Sequence, residues 1–346
     1  MTRALPALAL ILGVSLLAPA QDAKSPLDKL DPTKLPAALR PTKAHPKEVV
    51  AVLGARGDKV DCCAFRDDGK VLAISGPDQV LRVWNLAEMR QVGTFRQPSA
   101  VVCLAFTPDR KTLITGDENG TVRLLSPEGQ LKTTLRSHKD GPAFAVAVSP
   151  DGKKLATGGR DKVIKVWDIS KPKTPTPSVL TGHTNPVLAL AFAPSGDALV
   201  SVADEQMRVW DTSGENAKAG AVVPLGGKAR SVAVSPDGKK VVTAGSPETN
   251  RVWEFNDGKP EKPVPFNTDG RGAFSAAFSP DGTTIACAAF LPNLSEAEER
   301  ILVTTEGEKK FDLRTGLHVH KVAFAPDGRH LAAVTESGTL IVRLPK

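Results

Sequence analysis

The residues best suited to metal chemistry are two histidines near the C-terminal end of the sequence. His318 and His320 are two residues apart, so a β-strand would place both imidazoles on one side. Imidazoles are common zinc ligands, but a zinc site uses at least three protein ligands. No acidic residue or cysteine is identifiable as their partner. We therefore interpret them as surface histidines and predict no metal site.

Motifs for nucleophilic catalysis and for cofactor binding are absent from the sequence. The chain has no G-x-S-x-G elbow, no phosphate-binding loop, no zinc-binding helix motif and no C-x-x-C-H haem motif. We accordingly predict no catalytic residue, no cofactor and no enzymatic activity.

The N-terminal segment has the features of a secretory signal peptide. Arg3 precedes the apolar run Leu8–Leu17, and the small-residue exit Ala18-Pro19-Ala20 follows. The run is shorter than the roughly 20 residues that a membrane-spanning helix needs. We predict that residues 1–20 are a signal peptide cleaved near Ala20, and that the mature protein is exported to the periplasm or the extracellular space. No later run of apolar residues is long enough to span a membrane.

Residues 21–47 resemble a linker because prolines recur every few residues, at Pro26, Pro32, Pro36, Pro41 and Pro46. A Pro-rich polar stretch with few apolar residues tends to stay extended. We expect this segment to connect the signal peptide to the folded domain without packing against it.

A turn of the type Ser-Pro-Asp-Gly recurs seven times, about every 42 residues. Proline fixes φ at its second position, and Asp-Gly suits the bend that follows. The seven turns begin at Arg66, Thr107, Ser149, Ala193, Ser235, Ser279 and Ala325. An apolar strand precedes each turn, a second strand follows it, and a third and a looser fourth complete most units. Four short strands per unit are typical of a propeller blade.

The pattern resembles the WD40-repeat family over residues 48–346. The third strands end near Trp84, Trp167, Trp210 and Trp253, and Ser137-His138 and Gly182-His183 occupy the loops before two units. The resemblance implies an all-β, seven-bladed propeller of four-stranded antiparallel blades, in an exported protein of bacterial type. Lactonase-like propeller enzymes share the turns and are the alternative, but the Trp-Asp pairs and the even unit length favour WD40.

The last unit lacks a fourth strand, because the chain stops soon after its third strand near residues 340–343. An open ring would leave exposed strand edges, which favour aggregation. The one unassigned apolar stretch is Glu48–Gly54. We predict that Val49–Leu53 supplies the outer strand of the last blade and closes the ring.

The resemblance also implies buried polar networks in the third and fourth units. In each network an aspartate orients a histidine, the histidine reaches a hydroxyl, and a tryptophan donates to it, so that every buried polar group is paired. The network residues are His138, Thr157, Asp161 and Trp167 in the third unit, and His183, Ser201, Asp204 and Trp210 in the fourth. This structural role explains their spacing, and we prefer it to catalysis. Arg56 and Gln97 stand where other units would have the histidine.

The four cysteines are Cys62, Cys63, Cys103 and Cys287. An even number in an exported chain is compatible with disulfides. However, Cys62 and Cys103 occupy equivalent places on first strands, where small residues are wanted, and Cys62 and Cys63 point to opposite faces. We favour buried small residues and leave disulfide pairing open.

The charge distribution argues against nucleic acid as a partner. The formal net charge is +7, but the turns between first and second strands carry equal numbers of acidic and basic residues. The tryptophans all occupy structural positions, so none offers a stacking surface for bases. We predict a monomeric scaffold that binds another protein, with a small-ligand or polysaccharide binder as a second alternative.

The candidate partner-binding loop is the irregular segment Phe290–Arg300, between the second and third strands of the sixth unit. Leu291 and Leu294 would be apolar anchors on it, and Ser295–Glu298 resembles a capping box that starts a helical turn. We predict that these leucines bind a partner beside Arg160, Glu205 and Arg271, because interfaces combine an apolar centre with a polar rim. The alternative is that the loop packs onto the propeller as a plug.

Overall fold

A computed structural model describes residues 25–54, 60–170, 176–214, 216–256, 258–291, 299–305 and 308–345. These residues form 26 β-strands and four short 3-10 helices. The 3-10 helices are Pro26–Lys29, Pro32–Lys34, Ala37–Leu39 and Pro247–Thr249. The strands are β1 Val49–Leu53, β2 Cys62–Phe65, β3 Val71–Ser75, β4 Val80–Asn85, β5 Arg90–Arg96, β6 Val101–Phe106, β7 Leu113–Asp117, β8 Thr121–Leu125, β9 Leu131–Arg136, β10 Ala143–Val148, β11 Lys154–Gly159, β12 Ile164–Asp168, β13 Ser178–Leu180, β14 Ala189–Phe192, β15 Ala198–Asp211, β16 Lys218–Val234, β17 Lys240–Gly245, β18 Arg251–Asn256, β19 Lys259–Pro265, β20 Gly272–Phe278, β21 Thr284–Phe290, β22 Arg300–Thr305, β23 Glu308–Arg314, β24 Val319–Phe324, β25 His330–Thr335 and β26 Gly338–Arg343. None of the helices in these described segments has the length and apolar character that a membrane crossing requires.

The strands form six antiparallel sheets, so the prediction of seven blades is wrong. Five sheets have four strands each, in the orders β2-β3-β4-β5, β6-β7-β8-β9, β10-β11-β12-β13, β20-β21-β22-β23 and β1-β26-β25-β24. The sixth sheet has six strands, in the order β14-β15-β16-β17-β18-β19. The fourth and fifth repeat units merge in it because β15 and β16 are long. The first part of β15 pairs with β14 and the rest with β16, whose last residues pair with β17.

The strands that precede the repeated turns surround a central channel, and we call them the inner strands. They are β2, β6, β10, β14, the end of β16, β20 and β24. Each inner strand contacts the next along the chain, and β24 contacts β2. The six-stranded sheet therefore contributes two inner strands to the ring.

The N-terminal strand closes the ring, as predicted. Val49 to Leu53 of β1 pair in antiparallel register with Val342 to Thr339 of β26, as the outer strand of the sheet that contains the C-terminal strands. The first strand of the chain therefore pairs with the last strand, and β1 covers the edge of β26.

The repeated turns interlock around one face of the propeller. Six of them end in a glycine with positive φ, which glycine adopts without the strain other residues incur. A Cβ on Gly152 would lie 3.7 Å from the ring of Pro108 in the preceding turn, and Gly69 faces Pro326 of the last turn in the same way. The second turn has Arg110 instead of glycine, with φ of 64°, and it pairs with Asp67, the residue that replaces proline in the first turn.

Residues 25–47 pack against the propeller, so the expectation that the Pro-rich segment stays extended is wrong for this part of it. We call these residues the N-terminal strap. Four leucines between the prolines are buried in one cluster with residues of β1, β3 and β25; they are Leu27, Leu30, Leu35 and Leu39. The strap is also held by polar contacts, since Arg343 Nη2 donates to Leu30 O at 3.1 Å and Arg329 pairs with Asp28 at 2.6 Å.

Candidate functional site: the mouth of the central channel

The histidine of the third repeat unit is part of a complete buried network. His138 Nδ1 lies 2.7 Å from Asp161 Oδ1, and His138 Nε2 lies 3.1 Å from Thr157 Oγ1. Trp167 Nε1 donates to the same hydroxyl at 3.2 Å. Burial lowers the pKa of His138, although Asp161 opposes this shift. These hydrogen bonds connect the loops that carry His138 and Asp161 to β11 and β12, which is a structural role.

The fourth unit has a shorter network. His183 Nε2 lies 2.7 Å from Ser201 Oγ, and Trp210 Nε1 donates to Ser201 Oγ at 2.9 Å. The expected aspartate does not take part: Asp204 adopts φ of 46° in β15, and the buried His183 Nδ1 has no hydrogen-bond partner among the described residues. Burial, followed by the charge of Arg208, lowers the pKa of His183 to about 4, so the ring is neutral at pH 7.

The cysteines on the inner strands are hydrogen-bond donors between neighbouring strands. Cys62 Sγ donates to Val101 O at 3.6 Å, and Cys103 Sγ donates to Ala143 O at 3.1 Å. All four cysteines are buried and free in the structure. Burial raises the pKa of Cys103 to about 12, which keeps the thiol protonated.

Serines also form hydrogen bonds between neighbouring inner strands, here as acceptors. Ser231 Oγ accepts from Ala276 N at 3.2 Å, and Ser275 Oγ accepts from Val322 N at 3.4 Å. The small polar residues of the inner strands thus form hydrogen bonds with the backbone of the next inner strand, which is a structural reason for their size and polarity.

The central channel contains a cavity of about 700 Å³. At its mouth the cavity is lined by one residue from the start of each inner strand, which precedes a small residue on six of them and Lys321 on β24: Asp61, Val102, Phe144, Leu188, Arg230, Phe274 and His320. Val102, Phe144 and Leu188 are consecutive in this ring and form its apolar side. The charged residues Asp61 and Arg230 and the imidazole of His320 lie on the remaining inner strands together with Phe274, and we call this the polar side of the mouth.

An aromatic and imidazole cluster forms the polar side. Phe274 stacks on Phe290 with ring centroids 4.1 Å apart, and it meets His318 edge-on at 5.0 Å. The ring centroid of His318 lies 4.3 Å from that of His320. The guanidinium of Arg230 lies over the ring of Phe274, 5.6 Å from its centroid. The cluster therefore extends from the channel to the end of β21.

A buried carboxylate positions this cluster. Glu299 is 7 % exposed, its Oε2 accepts from Val319 N at 2.7 Å, and its Oε1 accepts from His318 Nδ1. Sequence reasoning missed Glu299, because it lies 19 residues before His318 and in no recognisable motif. The idea that the two histidines are plain surface residues without an acidic partner is thus wrong for His318. The described residues contain no group of three or more histidine, cysteine or acidic side chains placed to hold a metal ion.

The predicted partner-binding residues are spread around the same face. Leu291 directly follows Phe290 and is half-buried, whereas Leu294 and the capping box Ser295–Glu298 lie outside the described residues. Arg160 follows β11 and is exposed. Glu205, in β15, is also exposed. Arg271 is only 8 % exposed, so it offers little charge to solvent. Arg56 lies outside the described residues.

Comparison with family models confirms the WD40-repeat resemblance. Residues 47–85, 89–126, 129–168 and 175–211 match the model described as "WD domain, G-beta repeat". The first four repeat units therefore match the WD40-repeat model.

Several curated proteins are similar to this chain. The U3 small nucleolar RNA-associated protein 15 homolog of Xenopus tropicalis is 29% identical over 170 residues, 48% of this chain and 32% of that protein. The transcriptional corepressor LEUNIG_HOMOLOG of Arabidopsis thaliana is 25% identical over 280 residues, 80% of this chain and 29% of that protein. The nuclear distribution protein PAC1 of Coccidioides posadasii is 31% identical over 170 residues, 42% of this chain and 36% of that protein.

The chain thus spans about a third of these relatives' own length. All three come from eukaryotes, so they give no support to the expected bacterial type. Propellers with WD40 repeats generally act as non-enzymatic scaffolds for protein–protein interaction, which is consistent with a protein partner.

Proposed function

We propose that the protein is a non-catalytic scaffold that binds another protein at the mouth of its central channel. The observation that carries this proposal is the cluster of Phe274, Phe290 and Arg230. Phe274 and Arg230 line the cavity, Phe290 stacks on Phe274, and the half-buried Leu291 follows Phe290 in the chain. Interface hot spots are enriched in aromatic and arginine side chains.

The face that carries the repeated turns is less suited to binding a partner than the mouth of the channel. There the turns are closed by their own hydrogen bonds, since Ser149 Oγ donates to Asp151 Oδ1 at 2.6 Å and Asp151 Oδ1 accepts from Lys153 N at 3.0 Å. Their glycines and prolines are packed against one another. The acidic and basic residues of these turns are equal in number, so that face carries a balanced charge.

The relatives' names do not define the partner. They describe a U3 small nucleolar RNA-associated protein, a transcriptional corepressor and a nuclear distribution protein, which are unrelated roles. We carry over only the general property of binding to another protein. Export of this chain, expected from residues 1–20, stays a prediction that N-terminal sequencing of material secreted by the host tests.

Position-specific photo-crosslinking tests the proposed function. A benzophenone amino acid replaces Leu291 at the mouth in one variant and Lys239 on the turn face in the other, and both proteins are irradiated in extract of the native host. We expect one discrete protein adduct from position 291 and none from position 239. Equal adducts from both positions, or adducts from position 239 alone, would contradict binding at the mouth.

A further inference from the structure

The polar network of the fourth repeat unit leaves a buried ring nitrogen unpaired. His183 is only 7 % exposed, and its Nδ1 has no hydrogen-bond partner among the described residues. Its Nε2 lies 2.7 Å from Ser201 Oγ, which accepts from Trp210 Nε1 and lies 3.4 Å from Arg208 O. We assign the hydroxyl hydrogen to the shorter contact, with Nε2, so the hydrogen of the neutral ring lies on Nδ1. A buried N–H donor without an acceptor is costly.

The guanidinium of Arg208 lies in the same cluster as this ring. A Cβ on Gly182, the residue before His183, would lie 2.7 Å from Arg208 Nη1, so the guanidinium fills the space that a side chain at Gly182 would need. It also lies over the ring of Trp210, 5.9 Å from its centroid. After burial, the charge of Arg208 is the second cause that lowers the pKa of His183. These contacts place a cation beside the unpaired donor.

The residues at the equivalent position in neighbouring units all have a partner. This position lies two residues before the tryptophan, or before Leu125 in the second unit. Arg82 pairs with Asp78 at 2.7 Å, Arg123 pairs with Asp117, Lys165 donates to Ser137 O, and Arg251 Nε donates to Glu248 O at 2.7 Å. Arg208 forms no ion pair or side-chain hydrogen bond within the described residues, and its Nε is buried without a partner.

The acidic residues closest to Arg208 along β15 do not neutralise it. Asp204 corresponds to Asp78 of the first unit, since each lies six residues before its tryptophan. However, Asp204 adopts φ of 46° and its backbone pairs with Ala229, at a point where the register of β15 shifts. Glu205 is exposed. Neither acid forms an ion pair with Arg208, so the positive charge beside the histidine stays uncompensated within the described chain.

The third unit shows which group suits such an arrangement. There the carboxylate of Asp161 lies 2.7 Å from His138 Nδ1, and the charge of Lys165 acts on the same ring. The stretch from the hydroxyl residue to the tryptophan is one residue shorter in the fourth unit, Ser201–Trp210, than in the third, Thr157–Trp167. The fourth unit therefore keeps the histidine and the cation but does not bring its own aspartate to the ring.

We propose that His183 Nδ1 and the guanidinium of Arg208 bind a carboxylate that no described residue of this chain provides. One oxygen accepts from Nδ1, as Asp161 accepts from His138, and the other accepts a charge-assisted hydrogen bond from the guanidinium. Arg208 is half-buried, so part of it is open to solvent. The carboxylate belongs either to an acidic side chain of a partner or to a small free acid. The inference does not rest on the proposed function, because Phe274 and its cluster lie in other units.

NMR spectroscopy of the imidazole nitrogens tests the inference. Protein labelled with ¹⁵N-histidine is titrated at pH 7 with sodium acetate, with sodium sulfate at matched ionic strength, and with a capped glycine peptide that carries one aspartate or, as its control, one asparagine. His138 is the internal control, because Asp161 already accepts from its Nδ1. The variant Arg208→Gln removes the guanidinium, and Arg160→Gln makes the same change at an exposed arginine.

We expect acetate and the aspartate peptide to shift the Nδ1 signal of His183 and to leave the signals of His138 unchanged. Arg208→Gln should weaken both ligands about tenfold, the effect of losing one charge-assisted hydrogen bond, whereas Arg160→Gln should leave their affinities unchanged. An aspartate peptide that binds at least about tenfold more tightly than acetate would identify a partner's side chain as the source of the carboxylate. Equal affinities would identify a small free acid.

Three results would overturn the inference. They are a His183 signal that responds to neither carboxylate, an equal response to sulfate or to the asparagine peptide, and affinities that Arg208→Gln leaves unchanged. The first two come from the wild-type protein alone, so they do not depend on the folding of a variant. None of the three affects the crosslink at position 291, which tests the proposed function separately.

Discussion

Truncation of Leu53 is the sharpest test of ring closure by the N-terminal strand. Leu53 has no exposed surface and packs in the cluster that joins the first and last sheets to the strap. Replacing a fully buried leucine by alanine removes its burial and leaves a cavity, which costs about 2–5 kcal/mol. For a chain of this size each kcal/mol lowers Tm by roughly 2–4 °C. We therefore expect Leu53→Ala to lower Tm by roughly 4–20 °C.

The matched control is Leu131→Ala in the outer strand β9, where the same leucine side chain is 60% exposed. That variant should change the unfolding free energy by less than about 0.5 kcal/mol. Differential scanning calorimetry of the two variants and the wild type provides the comparison. If Leu53→Ala melts at the same temperature as Leu131→Ala, then β1 does not hold the ring closed and the assignment is refuted.

Three further predictions concern stability. The lowered pKa of His183 means that the unfolded state binds its proton first, so the unfolding free energy should fall as pH decreases from 6.5 to about 4; in urea titrations His183→Gln should remove about 3 kcal/mol of this pH dependence, and an unchanged slope would contradict the burial argument. Arg343→Ala should release the strap and raise the rate of tryptic cleavage there roughly tenfold, because it removes charged hydrogen bonds to the backbone; an unaltered cleavage rate would show that the leucines alone hold it. In a double-mutant cycle, the variant with both Asp67→Pro and Arg110→Gly should be about 1 kcal/mol more stable than the two single changes add up to, because together they restore the proline–glycine contact of the other turns. Strictly additive effects would show that the Asp67–Arg110 ion pair does not take the place of that contact.

The sequence was informative where structure depends on local pattern. The seven turns and their inner strands follow from residues near in the chain, because proline and glycine act through their own backbone angles. The pairing of Val49–Leu53 with the C-terminal strand was also predictable, since an unfilled strand place and an unassigned apolar stretch remained after the repeats were counted.

The merged sheet, the packed strap and the site were not predictable in the same way. No glycine or proline marks the point within β15 where its pairing changes from β14 to β16. The length of β15 could therefore not be predicted from the sequence. Leu27 and its neighbours lie among prolines, and only the folded first and last sheets provide the surface that buries them. Glu299 reaches His318 through tertiary structure alone.

Hydrogen–deuterium exchange with the partner identified by crosslinking shows whether binding occurs at the channel mouth or at the turn face. We expect the purified partner to slow exchange in β20, at the end of β21 and in β24, which form part of the polar side of the mouth, and to leave the turns at residues 235–238 and 279–282 unchanged. Protection confined to those turns, with the mouth strands exchanging as in the free protein, would contradict it.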